Sequence, residues 1–458
     1  MENAELERTI KFLSDIVKQV PSMFDMAKRN PMFPEVERIA VASIANADSL
    51  HEALNAYDNY AGIVRDWKFV FASDRGAIPG LSTHRTFSDG SVVRGVFYTD
   101  AVFVLDLETR GEMEGGRNAV FPIDYSISLD NQALSYLTPF LGGNTSKLPD
   151  DFNEVFSFIS DEKVFVDPIP YMLENLPNIL KHENVEQIKR RLEGYEMLRT
   201  IDSAHFQTTG EVRSTVSKAE RDRTVDDLLA RMVQDASNPE LMGWLNVQLA
   251  RQYAALLKMV TIQLRSPRRS LANKLNEFME FLDNTLRTMH ARETILAAEY
   301  FTKGQQFAFF SRLHKSPANH LPELFKALKN MAWDIFHIRY LEGASTFEGA
   351  ISGMAKLTPR YFFPALLTCD KDLVEVIDLY PLKSYAYRKE PRQLIPFPAI
   401  DWIAKVAGNT AQESDVTHRL FSREAVAKRD ALREGALAKI HIIVRELEKE
   451  FSDVAAID

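Results

Sequence analysis

Residues 119–141 read AVFPIDYSISLDNQALSYLTPFL. The first half has the β-branched and aromatic content of a strand. The second half reads as a helix beginning near Asn131, so Asp130 falls at the junction. An acid at the end of an apolar strand, with a helix directly behind it, is where open α/β sheets place their sites. This stretch therefore argues for an α/β core, and two others extend it. EKVFVDPIPYMLENLPNIL (162–180) gives a short apolar run, a turn set by two prolines and an amphipathic start at Tyr171. RYFFPALLT (360–368) is a second strand, and Asp370 follows it closely.

Outward from these pieces the chain is mostly helical. Leu6, Ile10, Leu13 and Val17 recur at helical steps, and a second stretch opens with Pro34. Ser49 and Glu52 have capping-box spacing. Strand character runs from Lys68 to Ala72 and from Val92 to Leu105, with Thr99-Asp100 as a turn, while 73–91 is loop by composition. Residues 182–330 read as helices. Asn238-Pro239 and Ser266-Pro267 are expected caps, and the second leads into a stripe of Leu271, Leu275, Phe278, Leu282, Leu286 and Met289 that is assigned to packing. Residues 422–451 read as one long helix that docks on the body or pairs with a second copy.

Composition excludes several functions. The 458 residues are 45% hydrophobic and 26% charged, which is ordinary globular material, and the net charge of −9 forbids nucleic-acid binding by bulk charge. A nucleic-acid partner therefore needs a local basic surface or metal ions. The single cysteine, Cys369, rules out an internal disulfide and a thiolate zinc cluster, and it suits a reducing compartment. Its neighbour Asp370 argues against a thiolate nucleophile. Glu2, Glu5, Glu7 and Asp15 interrupt what a signal peptide would keep apolar, and no stretch reaches about 18 consecutive apolar residues, so a cytoplasmic protein without a membrane partner is expected. There is no G-x-G-x-x-G, no Walker A motif, no H-E-x-x-H and no G-x-S-x-G.

What remains is acids in apolar settings: Asp130, Glu174, Asp334 in AWDIFHIRYLE (332–342) and Asp370 in LLTCDKDL (366–373). Gathered in one place they would repel unless cations neutralised them, and oxygen ligands favour Mg²⁺ or Mn²⁺. At this point the chain resembles PIN-like nuclease domains. ISLDNQALSYL, DPIPYMLEN, AWDIFHIRYLE and LLTCDKDL are similar to that family's four acidic blocks, in the family's order.

The resemblance implies an α/β fold with a PIN-like, largely parallel sheet flanked by helices. It implies a metal centre of Asp130, Glu174, Asp334 and Asp370 with Asp372 as a fifth acid, and support from Thr368 and from Asn131, which stands where Ser or Thr is common. Asp124 also ends an apolar run and is the alternative first ligand; Asp130 is preferred because the helix starts directly behind it. The long gap between Glu174 and Asp334 implies a helical insertion. The expected organisation is a helical region (1–66), a strand-bearing extension (67–115), the first half of the PIN-like domain (116–182), the insertion (183–325), the second half (326–390) and a C-terminal helical tail (391–458).

The implied activity is phosphodiester hydrolysis by a metal-activated water, with single-stranded RNA as the favoured substrate reading and DNA left open. The size suggests a regulated stress or antiphage effector. Lys383, Tyr385, Tyr387, Arg388, Lys389 and Arg392 interleave cations with aromatics and are the expected nucleic-acid contact. Lys189, Arg190 and Arg191, and Arg265, Arg268, Arg269 and Lys274, are further candidates for that contact, with a solvated helix face as the stronger reading of each group. His205, His290, His314, His320 and His337 lack metal-ligand spacing, although His337 is placed to orient Asp334. Two alternatives are a non-catalytic nucleic-acid-binding or scaffold protein on a degenerate PIN-like fold, and a helical protein-interaction module. Homo-oligomerisation through helical segments is compatible with each of these.

Overall fold

Strand β7 (Tyr361–Thr368) is buried along its whole length, because its eight largely apolar residues feed two different cores. Leu366 packs on one side among Leu256, Leu296, Leu328 and Ile335. Leu367 packs on the other among Ile127, Leu129, Leu137, Phe156 and Leu192. A computed structural model of the chain describes residues 24–74, 76, 83–115, 123–313, 320–346, 360–407 and 410–456, together with 8, 11 and 12. The helix expected over Leu6, Ile10, Leu13 and Val17, and His314, lie outside the described residues.

Around β7 runs a five-stranded sheet with β2 (His84–Thr86), β3 (Val92–Gly95), β5 (Ile123–Leu129) and β6 (Val166–Asp167), in the order β2-β3-β7-β5-β6. β7, β5 and β6 are parallel, whereas β2 and β3 are antiparallel additions on the other edge of β7. A second sheet of β4 (Ala101–Leu105), β1 (Lys68–Ser73), β8 (Leu382–Arg388) and β9 (Gln393–Pro398) is antiparallel throughout.

The expected PIN-like, largely parallel sheet flanked by helices is therefore corrected. The chain is mainly helical and carries one mixed and one antiparallel sheet. The physical reason lies at one edge of β7: β3, from the 67–105 stretch, pairs antiparallel there and occupies the edge from which a parallel sheet would extend, while β1 pairs antiparallel with β8 in the other sheet. The expected boundaries are cut in the same way, since β9 lies within the presumed helical tail and pairs with β8. Val92–Gly95 and Ala101–Leu105 are not partners across a Thr99-Asp100 turn; they belong to different sheets.

The helices sort by which core they fill. Asn131–Leu141, Phe152–Ile159, Ile169–Ile179, His182–Arg199 and Lys218–Ala236 cover the β5 face. Pro239–Arg265, Leu271–Asn284, Ala291–Lys303, Leu321–Ala344 and Ile440–Ala455 build the other core. The 183–325 segment is thus divided between both. Asn238 caps its helix as expected, through the Glu240 and Leu241 amides. Ser266 instead ends that helix, and Ser270 caps the next. In the stripe, Leu275, Phe278, Leu282 and Leu286 are buried, but Leu271 is exposed and the helix ends at Asn284, before Met289. The single helix expected over 422–451 is two, Arg423–Ala438 and Ile440–Ala455. Only the second has a full packing partner, as Leu447 and Phe451 are buried with Leu256 and Leu257 while Leu432 is exposed. No helix among the described residues is long and apolar enough to cross a membrane.

Candidate functional site

β5 and β7 run parallel with Leu129 opposite Leu367, so Asp130 and Asp370 leave the sheet at the same end. The Asp130 amide donates to the Leu367 carbonyl at 3.1 Å, which ties the two strand ends together. Each acid caps the helix behind it: Asp130 accepts from the Ala133 amide at 2.5 Å and Asp370 from the Asp372 amide at 3.0 Å. Thr368 links them. Its hydroxyl accepts from the Asp370 amide at 3.0 Å and hydrogen-bonds the Asp130 carboxylate.

Glu174 is delivered by the Ile169–Ile179 helix, and the Asn131 amide nitrogen donates to it at 3.0 Å. The Asn131 oxygen in turn accepts from Arg191 at 3.0 Å. From the opposite wall, Leu321–Ala344 presents Asn330, Trp333, Asp334 and His337, whose spacing places them on one helical face. Asp130, Glu174, Asp334 and Asp370 all line a single open cleft of about 220 Å³, with Asn131, Gln132, Ser135, Arg191 and Leu373 completing the wall.

The carboxyls feel burial and one another. Asp130 is pushed up to about 6, first by burial and then by Asp370, against the pull of Thr368 and the Ala133 amide. Glu174 is pushed up to about 7 by burial and by Asp130, opposed by Asn131 and Arg191. Burial holds the His337 imidazole down at about 4. The Cys369 thiol is raised to about 12, by burial more than by Asp130 or Asp370, so it is no thiolate.

The other expected site residues lie elsewhere. Asp124 stands at the far end of β5, where its carboxylate accepts from the Tyr125 amide; Asp130 lines the cleft and Asp124 does not. Asp372 offers its amide to Asp370, and its side chain is not in the cleft wall.

The expected nucleic-acid contact is corrected. Tyr385 and Tyr387 are buried in the core between the sheets, so neither offers a face for a base. Arg388 pairs with Glu37 at 2.9 Å, Lys383 donates to the Asn46 carbonyl at 2.7 Å and Arg392 to the Thr346 hydroxyl at 2.8 Å. Lys389 is exposed in the β8–β9 turn, outside the cleft wall. Lys383, Tyr385, Tyr387 and Arg388 belong to β8, an interior strand held between β1 and β9.

Conversely, Arg191, a candidate contact for which a solvated face was the stronger reading, lines the cleft. His337, placed by its spacing to orient Asp334, lines the cleft, and so does Asn330, which went unassigned although it stands on the same helical face.

Among the described residues, no group of three or more His, Cys, Asp or Glu side chains stands close enough together to hold a metal ion. Asp130, Glu174 and Asp370 each accept a hydrogen bond from a protein donor through one carboxylate oxygen. The donor set nevertheless fits a cation. Two carboxyls are raised partly by neighbouring acids, which a cation would offset, and a buried imidazole nitrogen of His337 lacks a hydrogen-bond partner. No protein-family model, curated protein or solved structure matches the chain.

Proposed function

We propose that the cleft is the centre of a divalent-metal-dependent nuclease acting on single-stranded RNA in preference to DNA, with Mg²⁺ or Mn²⁺ held by Asp130, Glu174, Asp334 and Asp370. The observation that carries this reading is convergence: acids from four distant stretches of chain line one cleft. Two of these carboxyls, Asp130 and Glu174, are buried and raised in part by a neighbouring acid, and a positive counterpart in the cleft would relieve both. When bound, the cation supplies an activated water and offsets charge on the attacked phosphodiester.

The chain's own groups do the rest. Thr368 and Asn131 fix the orientation of Asp130 and Glu174. Arg191 is the arginine in the cleft wall and meets a phosphate, while the half-buried Trp333 gives an aromatic surface on which an unpaired base stacks. A cytoplasmic setting suits the lone, buried Cys369.

The test is incubation of the full chain with end-labelled single-stranded RNA and DNA of one sequence, with Mn²⁺, with Mg²⁺ and with chelator. RNA cleavage that needs the metal and falls at least ~100-fold in Asp334→Asn, whose melting curve matches the parent, is the expected result. Equal cleavage by the variant, or RNA binding without cleavage in either metal, refutes it.

A further inference from the structure

Among the residues that line the cleft, His337 carries a buried polar atom that no hydrogen bond engages. His337 is 3% exposed, lines the cleft one helical turn beyond Asp334, and its Nε2 has no hydrogen-bond partner. A buried nitrogen left without a partner is destabilising, so the fold retains it at a penalty. The other ring nitrogen is committed, because the ring is hydrogen-bonded to the Pro170 carbonyl and Nε2 takes no part in that bond. Pro170 lies one turn before Glu174 on the Ile169–Ile179 helix, so this contact joins the helix that delivers Glu174 to the helix that delivers Asp334. The ring is also wedged by Trp333 and Phe336, with centroids 5.7 and 5.9 Å away. With Nδ1–H held by a backbone carbonyl, Nε2 presents a lone pair in a fixed direction. That is the arrangement in which proteins orient an imidazole for a metal.

We infer that His337 Nε2 is a ligand of the cation held in this cleft, and that its nitrogen makes the centre select Mn²⁺ over Mg²⁺. The inference rests on the reading of the cleft as a cation centre and deepens it. Mg²⁺ binds oxygen almost exclusively and gives up its waters reluctantly, so an imidazole adds little to its affinity. Mn²⁺ accepts nitrogen beside carboxylate oxygen. Sequence spacing hides such a ligand, because a helical Asp-x-x-His pair looks like any amphipathic turn until the second helix arrives with its carbonyl.

The probe is the metal itself on the full chain. Pulsed electron paramagnetic resonance of bound Mn²⁺ should show a directly coordinated ¹⁴N that becomes ¹⁵N when the protein is made with ¹⁵N-histidine, a measurement that needs no variant. In His337→Gln the nitrogen signal should vanish and Mn²⁺ affinity fall about tenfold or more, with Mg²⁺ affinity within twofold of the parent. Asp334→Asn should weaken both metals. Mn²⁺ binding that is lost in Asp334→Asn but shows no nitrogen coupling in the parent overturns the His337 assignment and leaves the carboxylate centre standing. The same holds if the coupling persists in a folded His337→Gln variant. Binding that is unchanged in Asp334→Asn overturns both.

Discussion

Glu174 concentrates the tension of the site at the level of one side chain. Its carboxyl is raised to about 7 by burial and by Asp130, whereas in an unfolded chain it titrates near 4.5. Between those values the folded protein holds a proton that the unfolded chain has released. Stability from this group is therefore greatest at acid pH and declines as pH rises from about 4.5 to about 7. Glu174→Gln removes the titration and keeps an acceptor for Asn131. The variant should unfold at higher urea than the parent at pH 8, by on the order of 2 kcal/mol, and at nearly the same urea at pH 4. Equal displacement at both pH values would show that the group is not held neutral. This is the residue-scale meaning of the motifs that were legible in sequence: Asp130, Glu174, Asp334 and Asp370 all reach the cleft, and Thr368 and Asn131 bond to them. What was not legible is orientation. Tyr385 and Tyr387 look like stacking platforms until strand pairing buries them, and Arg191 looks solvated until Asn131 receives it.

Elements place these residues, and two acids serve both element and site. Asp370 caps the Lys371–Asp378 helix, and Asp130 caps Asn131–Leu141. Asparagine caps a helix about as well as aspartate, and alanine does not. Asp370→Asn should therefore melt with the parent while losing cation affinity, and Asp370→Ala should lose the same affinity and about 1 kcal/mol of stability as well. Urea denaturation beside Mn²⁺ titration separates the two roles; an Asp370→Asn variant that binds Mn²⁺ as the parent does would leave Asp370 a cap and nothing more. Caps are also where sequence was most and least informative. Asn238-Pro239 starts a helix, but Ser266-Pro267 has the same form and follows a helix end, because the neighbouring stretch that decides between them is set by packing. Likewise Val92–Gly95 and Ala101–Leu105 were legible as strands, while their partners, being far away in sequence, were not.

Across the whole molecule, two buried systems titrate in opposite directions. The first is the cleft, with Glu174 and Asp130. The second joins Ala291–Lys303 to Leu321–Ala344, the helix that carries Asp334, through Arg292 and Glu342 at 2.6 Å, Arg339 and Glu342 at 3.0 Å, and Arg339 with Glu293. His290 borders it within hydrogen-bond distance of Arg251, and is pushed down to about 3 by burial, with Arg251 and Arg339 adding to the effect against Glu293. A histidine kept neutral in the fold contributes stability that is complete above about 6.5 and is lost as pH falls toward 3, since the unfolded chain gains the proton first. His337 acts in the same sense. Between about pH 4.5 and 6.5 the histidines thus favour higher pH and the cleft acids lower pH, and the parent should show a shallow stability profile there. Removing one side exposes the other: Glu174→Gln should steepen the loss of stability on acidification, and His290→Gln should turn the profile toward greater stability at low pH. Glu174 and His290 share no partner, so the double variant should return to a shallow profile by near-additivity. Urea midpoints of the four proteins at pH 4.5, 5.5 and 6.5 check this, and parallel profiles for all four would mean that neither buried system governs the acid response.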